Sequence, residues 1–466
     1  MKTDVQAGSK SYHNNGSYWF DSLETSLLPA PVEKLPQSVD VAIIGAGYTG
    51  LWTAYYLHRH APHLNIAVLE ANTIGFGASG RNGGWCMGWA TGIDQMLAQP
   101  QRAAAGLALA RAMQATVDEI AQVCSREAID CHFTKAGTLT VATRPFDEQV
   151  MRASIEHYRN LGFDAEDFVW LDAAASKQRL NMDPNYGASY TPHCATIHPA
   201  RLVKGLGRVL REQGVEIYEQ TPVLGFAPGK VTTSRGVVQA RHILCATEGY
   251  TESLQGQARK LLPLYSMMVA TVPLSASMWD EIGLAQRETF GDARRVTTYG
   301  QRTADGRLAF GGRAGYYFGS QRKPVIDPND AALLNVEKTL KELLPMLADT
   351  PIAHRWGGLM GVQRHWRPTV TFDKTTGLGS AGGYVGEGVG ASNLAGRILA
   401  DLVLARDTPV TKLAWVDDFA RRWEPEPLRW LGAGAIQWFG DRADRHEFAT
   451  GKRSRFWGGL FNRFVG

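Results

Sequence analysis

The sequence predicts an α/β fold whose N-terminal part is built on a parallel sheet, and three observations carry that prediction. An apolar run at Val39 passes through closely spaced glycines into a helical pattern, and a second apolar run ends on an acid. A further glycine-rich segment late in the chain feeds another helix with one apolar face. With 466 residues, 44% hydrophobic and 20% charged, the chain can bury a large core and is long enough for two or more domains.

The first element, VDVAIIGAGYTGLWTAYYL, reads as a buried strand, a glycine turn and a helix. Gly45 permits the tight turn, Gly47 lets the backbone approach a pyrophosphate, and Gly50 lets the helix pack closely on the strand. Unpaired N–H groups and the dipole at the helix N-terminus favour a phosphate there. The next strand, IAVLEA, ends in Glu70, twenty positions beyond Gly50, where an acid suits the ribose hydroxyls of an adenosine and disfavours a 2′-phosphate. These features define a Rossmann-like dinucleotide site. They serve FAD and NAD alike, because both carry the same ADP half.

After Glu70 comes NTIGFGASGRNGGWCMGW, too irregular for a helix or strand and able to wrap backbone amides around a second phosphate or a ring. A flexible surface loop is the alternative, and Trp85 and Trp89 count against free exposure. The strand pattern VVQARHILCATEGY ends in Ala246, Thr247, Glu248 and Gly249, small and turn-forming residues at the mouth of a sheet. Farther on, glycines at 377, 379, 382, 383, 386, 388 and 390 precede a helix with Leu394, Ile398, Leu399, Leu402 and Val403 on one face. That helix N-terminus suits the anion formed when an isoalloxazine is reduced; a glycine-rich connection with only a packing role is the alternative.

Other classes are disfavoured. The net charge is only +4, and scattered Lys and Arg give no case for a nucleic-acid partner. Five cysteines, odd in number and without a CxxC pair or a His at ligand spacing, predict reduced structural thiols and no metal. The first twenty residues lack the apolar core of a signal peptide, and no stretch reaches roughly eighteen apolar residues, so a cytoplasmic location is expected.

GAGYTG with Glu70, GASGRNGG at 77–84, CATEGY at 245–250 and GGYVGEGVG at 382–390 together resemble the D-amino-acid-oxidase-type flavoproteins, in particular a branch similar to gamma-glutamylputrescine oxidase. The resemblance runs from about residue 17 to 410 and implies FAD in the Rossmann-like domain, with a mixed-sheet α+β substrate domain roofing the flavin. On that basis 38–105, 185–262 and 340–412 are expected in the FAD domain, 106–184 and 263–339 in the substrate domain, and 413–466 in a helical C-terminal extension. GTLTVAT, YSMMVATVPL and GRLAFGGR show the short runs expected of the second sheet. The aromatic, basic segment from 425 onward is expected to pack on the protein body, with weak membrane-surface contact as the alternative.

The resemblance implies FAD contacts from Gly45, Gly47, Tyr48, Thr49 and Gly50, and from Glu70 and Ala71. It implies others along Gly77, Ala78, Ser79, Gly80, Arg81, Asn82, Gly83, Gly84 and Trp85, and from Val223, Thr247, Gly249 and Gly361. Gly386, Glu387, Gly388 and Val389 complete the set. It also implies hydride transfer from the carbon of a neutral small-molecule amine to flavin N5, imine hydrolysis, and molecular oxygen reduced to hydrogen peroxide. Tyr265, Arg313 and Arg364 are the candidate catalytic-site side chains. Arg313 in particular suits a substrate carboxylate or phosphonate, although an exposed turn is an equal reading.

Two departures from the family pattern stand out. Some amine oxidases of this superfamily attach FAD through a C-terminal-half cysteine, whereas the last cysteine here is Cys245, so non-covalent FAD is expected. In the sarcosine-oxidase branch a lysine near the flavin assists oxygen, but Ala309 stands in the matching strand, leaving Lys260 or Lys323 only if the fold brings one close. A dehydrogenase passing electrons to a quinone or carrier is therefore the alternative.

Overall fold

The computed structural model describes residues 16–23, 34–313, 315–323 and 325–465. The first fifteen residues of the N-terminal stretch thus lie outside the described residues. Val41, Ala42 and Ile43 are fully buried because Ser38–Ile44 runs through the middle of a sheet, parallel to Ile66–Leu69 on one side and Gly236–Cys245 on the other. Glu216–Tyr218 extends this sheet beyond Ile66–Leu69, and Leu378–Gly382 lies parallel to Gly236–Cys245. Thr369–Asp373 closes that edge antiparallel, and the hairpin Val223–Ala227 and Lys230–Thr233 pairs onto Gly236–Cys245. Strands buried on both faces show as continuous apolar runs, which is how the first two were legible.

The helices Tyr48–His60 and Gly388–Val403 both begin just beyond the carboxyl ends of parallel strands, the position where open α/β sheets bind ligands. They pack on each other through Gly396, where a Cβ would stand 2.8 Å from that of Trp52. The late glycine-rich stretch contains a strand that its composition hides. At Gly379 a Cβ would meet Leu244 at 2.9 Å, so small residues let this strand and its cover lie close.

A second sheet runs in the order Ile352–Val362, Leu262–Thr271, Leu308–Arg313, Thr298–Arg302, Thr289–Asp292, Thr138–Val141, Ala188–Thr191, Val169–Leu171. It is antiparallel except between Thr289–Asp292 and Thr138–Val141. Helices Ala276–Ile282 and Ala331–Leu343 cover one face, with Trp279, Leu333 and Leu340 in its core.

This pairing corrects the expected domain limits. Ala188–Thr191 and Ile352–Val362, placed by sequence in the FAD-domain ranges 185–262 and 340–412, are hydrogen-bonded into the second sheet, opposite Thr138–Val141 and Leu262–Thr271. Conversely, the long helix Ala103–Arg126, mostly inside the range 106–184 expected of the substrate domain, buries Leu109, Met113, Val117 and Ile120 in the core of the first sheet. Residues 413–466 carry two helices, Leu428–Thr450 and Arg455–Val465.

A short N-terminal helix, Tyr18–Asp21, is inserted beside the second sheet. Its Tyr18, Trp19 and Phe20 are buried with Met268, Ala270, Ala309 and Trp356. The Trp19 indole N–H donates to the Asn82 carbonyl at 2.8 Å, so this helix reaches the glycine-rich loop directly. Trp19→Ala removes a fully buried ring and that donor together. It should cost about 4 kcal/mol in urea unfolding and release FAD during gel filtration; a variant that keeps its flavin would separate the helix from cofactor binding.

Candidate active site

Where the two sheets meet lies a cavity of about 330 Å³ whose lining includes Glu70, Asn72, Trp85, Tyr299 and Arg322. Its first wall is the glycine turn. Gly45 has φ +105°, a conformation glycine adopts without strain, and a Cβ there would press to 2.8 Å from the Ala246 carbonyl oxygen. At Gly50 a Cβ would lie 2.0 Å from the Gly45 carbonyl oxygen, which fixes how closely helix and strand pack. The Tyr48 N–H, at the open end of that helix, donates to Ser79 Oγ at 2.8 Å. Glu70 accepts from the Ala46 and Asn72 N–H groups at 2.8 and 2.9 Å, and desolvation raises its pKa against those two bonds.

The loop that follows is held carbonyl by carbonyl. Ser17 Oγ donates to the Gly80 carbonyl at 2.8 Å, the Trp356 indole to that of Arg81 at 2.8 Å, and Gln301 Nε2 to that of Gly83 at 2.7 Å. Arg81 in turn donates to the Phe76 and Gly357 carbonyls at 3.0 and 3.2 Å. Gly80, whose Cβ would fall 2.0 Å from the Phe20 ring, and Gly84, with φ +72°, face these supports and do not line the cavity.

Glu248 ties the far wall together. Its carboxylate accepts from the backbone N–H groups of Gly361, Gly383 and Tyr384, joining a strand of the second sheet to the loop ahead of the helix Gly388–Val403. Burial pushes its pKa up to about 7, against the lowering effect of those amides. The Tyr384 and Thr49 hydroxyls share a hydrogen bond of 2.9 Å, which locks the two helix N-termini side by side.

The fold suits a dinucleotide on three counts: a glycine turn that admits no side chain, open helix N-termini, and an acid at the end of the second strand. A model of the family described as FAD dependent oxidoreductase matches residues 40–402. The chain belongs to this family. It is 30% identical over 387 residues to the gamma-glutamylputrescine oxidoreductase of Escherichia coli, covering 80% of this chain and 86% of that one. It is 29% identical over 409 residues to the probable oxidoreductase OrdL of Haemophilus influenzae, covering 84% and 88%. Glycine oxidase from Geobacillus kaustophilus superposes with a TM-score of 0.67 at 20% identity, over 80% of this chain and 96% of that one.

The cavity of this FAD-dependent oxidoreductase gathers most of the residues expected from sequence. Gly45, Gly47, Tyr48, Thr49, Glu70 and Ala71 line it. So do Gly77, Ala78, Ser79, Arg81, Asn82, Gly83 and Trp85, and Val223, Thr247, Gly386, Glu387, Gly388 and Val389. Gly50, Gly80, Gly84, Gly249 and Gly361 pack behind the wall instead; at Gly249 and Gly361 a Cβ would run into Leu359 and the Glu248 carboxylate. None of the five cysteines lines the cavity among the described residues.

Two of the three expected catalytic side chains fall elsewhere. Tyr265 is buried on the opposite face of its strand, where its hydroxyl accepts from the Lys323 N–H at 2.6 Å. Side chains alternate along a strand, so the next residue, Ser266, faces the cavity. Arg364 lies outside it, with Nε 3.2 Å from both carboxylate oxygens of Glu424 and its guanidinium over Trp423. Arg313 ends its strand, and its side chain lies outside the described residues.

Sequence reasoning missed Ser266, Thr297, Tyr299, Arg322 and Met360. The Tyr299 hydroxyl lies 2.6 Å from Ser266 Oγ, and its ring meets Trp85 edge-on at 6.2 Å. Strand alternation would have offered Ser266; Arg322 lies in an irregular stretch with no local signal.

Because Glu248 titrates above its ordinary 4.5, the folded protein holds a proton there that the unfolded chain releases. Its contribution to stability is complete below pH 4.5 and is lost as pH rises through about 7. Urea unfolding between those limits should therefore show wild type losing stability relative to Glu248→Gln as pH rises. Parallel curves would mean that the carboxyl is ionised throughout.

Proposed function

We propose that this enzyme oxidises a primary or secondary amine that carries an anionic group, such as an amino acid, an aminophosphonate or an acidic polyamine derivative. The carrying observation is the cavity lining. Trp85, Tyr299 and Met360 give it apolar surface, and Arg322, which also lines it, makes no ion pair with any described residue. A free guanidinium at the rim of an apolar pocket recognises carboxylate or phosphonate bidentately. The names of the relatives, which refer to an acylated putrescine and to glycine, support the same class.

Bound FAD, held without a covalent link, supplies the two-electron acceptor. The chain's own residues do the rest. Trp85 and Tyr299 exclude water, which favours the uncharged amine whose lone pair assists loss of the C–H electron pair. Ser266 fixes the Tyr299 hydroxyl and so the width of the pocket. Arg322 anchors the anionic end and orients the reacting carbon. The imine then hydrolyses to an aldehyde or keto product, and oxygen takes the electrons as hydrogen peroxide.

A second reading, transfer to a quinone or carrier, is favoured by the cations around the cavity. Ala309 is buried among Tyr18, Trp19 and Trp356, Lys260 is exposed, and Lys323 is paired with Asp330 at 3.4 Å. No described lysine lines the cavity.

Anaerobic titration of the holoenzyme with amino acids, aminophosphonates and acylated polyamines should bleach the flavin band, and air should restore it with release of peroxide. Bleaching that air does not reverse would select the carrier reading, and no bleaching would remove the amine class. Arg322→Ala should raise KM for anionic amines roughly 10- to 100-fold with a smaller change in kcat. An equal effect on neutral amines would refute the anionic anchor.

A further inference from the structure

The family match ends at residue 402, and the two C-terminal helices lie beyond it. They are fixed rigidly to the second sheet. Arg144 Nη1 meets Glu447 at 2.6 Å, Arg295 pairs with Asp444 at 3.3 Å, and the Ser454 N–H donates to Glu447 at 2.8 Å across the turn between the helices. Since Glu447 is fully buried, these contacts hold one face of the pair against the body.

The other face carries a continuous set of aromatic rings. Trp438 meets Trp457 edge-on at 5.1 Å, Phe456 meets Trp457 at 4.7 Å, and Phe439 stacks on Phe464 at 5.9 Å. Packing does not hide them: Trp438 is 46% exposed, Phe464 42% and Phe456 67%. From Phe448 to the end the sequence holds Lys452, Arg453, Arg455 and Arg463 and no Asp or Glu. None of these four cations pairs with a carboxylate of the described residues. Exposed aromatic rings bordered by unpaired cations match the headgroup region of an anionic bilayer, where rings enter the interface and Arg or Lys meets phosphate.

We propose that this face docks the enzyme on an anionic membrane surface as a peripheral contact. No described helix is long and apolar enough to cross a membrane, so the contact is interfacial. A second copy of the chain is a poor occupant, because a two-fold contact would set the same four cations against themselves. The body-facing side of the pair lies close to the active site: the Val296 N–H donates to Asp444 at 3.1 Å, and the next residue, Thr297, lines the cavity. The docking itself does not depend on the amine chemistry.

The test is flotation of the FAD-loaded, full-length enzyme with vesicles of phosphatidylglycerol mixed into phosphatidylcholine, and with phosphatidylcholine alone. The enzyme should float with the anionic vesicles only and be released by high salt. The triple variant Arg453→Glu, Arg455→Glu, Arg463→Glu and the double variant Phe456→Ser, Phe464→Ser should each lower the bound fraction about tenfold or more, with flavin content and melting unchanged. Failure to float with anionic vesicles, equal flotation of wild type and variants, or light scattering that shows a dimer dissociated by the aromatic variant would overturn the proposal.

Discussion

The structure depends on an irregular loop made safe to bury. Residues 76–84 cross between the two sheets where no ladder can satisfy their backbone groups, and an unpaired buried carbonyl costs about 1–3 kcal/mol. The chain meets this carbonyl by carbonyl with donors from distant elements: Ser17, Trp19, Gln301 and Trp356. Glycine is required at Gly84 because Gln301 stands where a Cβ would be, and at Gly80 because the Phe20 ring of the N-terminal helix does. The N-terminal helix, both sheets and the cofactor wall consequently share one set of contacts.

A second constraint is electrostatic. Two helix N-termini open onto the same cavity, each with the partial positive charge of unpaired N–H groups, and the Thr49–Tyr384 bond keeps them adjacent. Glu248 occupies the seam behind them and takes three amides that would otherwise lack acceptors. Its desolvation opposes ionisation and raises its pKa to about 7, so it offsets the positive ends of the two helices less than an ordinary carboxylate would. This arrangement suits a ligand that is anionic at its phosphates and becomes anionic at its ring on reduction.

What was legible in the sequence follows the range of the signal. Gly45, Gly47, Gly50 and Glu70 obey a local geometric rule, and their spacing alone placed them around the turn. The loop 77–84 was legible by composition, but its function as a joint was not, since Ser17, Gln301 and Trp356 approach it across 63, 218 and 275 positions. Tyr265 shows a different limit. The strand was correctly placed, yet an apolar run buried on both faces does not reveal its phase, and one step separates Tyr265 in the outer core from Ser266 in the cavity. Arg364 shows a third: a guanidinium near a glycine-rich strand reads as a pocket residue until Glu424, sixty positions away, is seen to occupy it.

The same reasoning bears on the electron acceptor. A lysine that assists oxygen must stand against the cofactor, and at residue 309 the N-terminal helix has filled the neighbouring space with Tyr18, Trp19 and Phe20. A longer cationic side chain there would displace the rings that hold the loop in place. For the proposed oxidase reading, the positive charge available at the cavity is that of the helix N-termini, Arg81 and Arg322; for the carrier reading, the reduced enzyme passes its electrons to another acceptor.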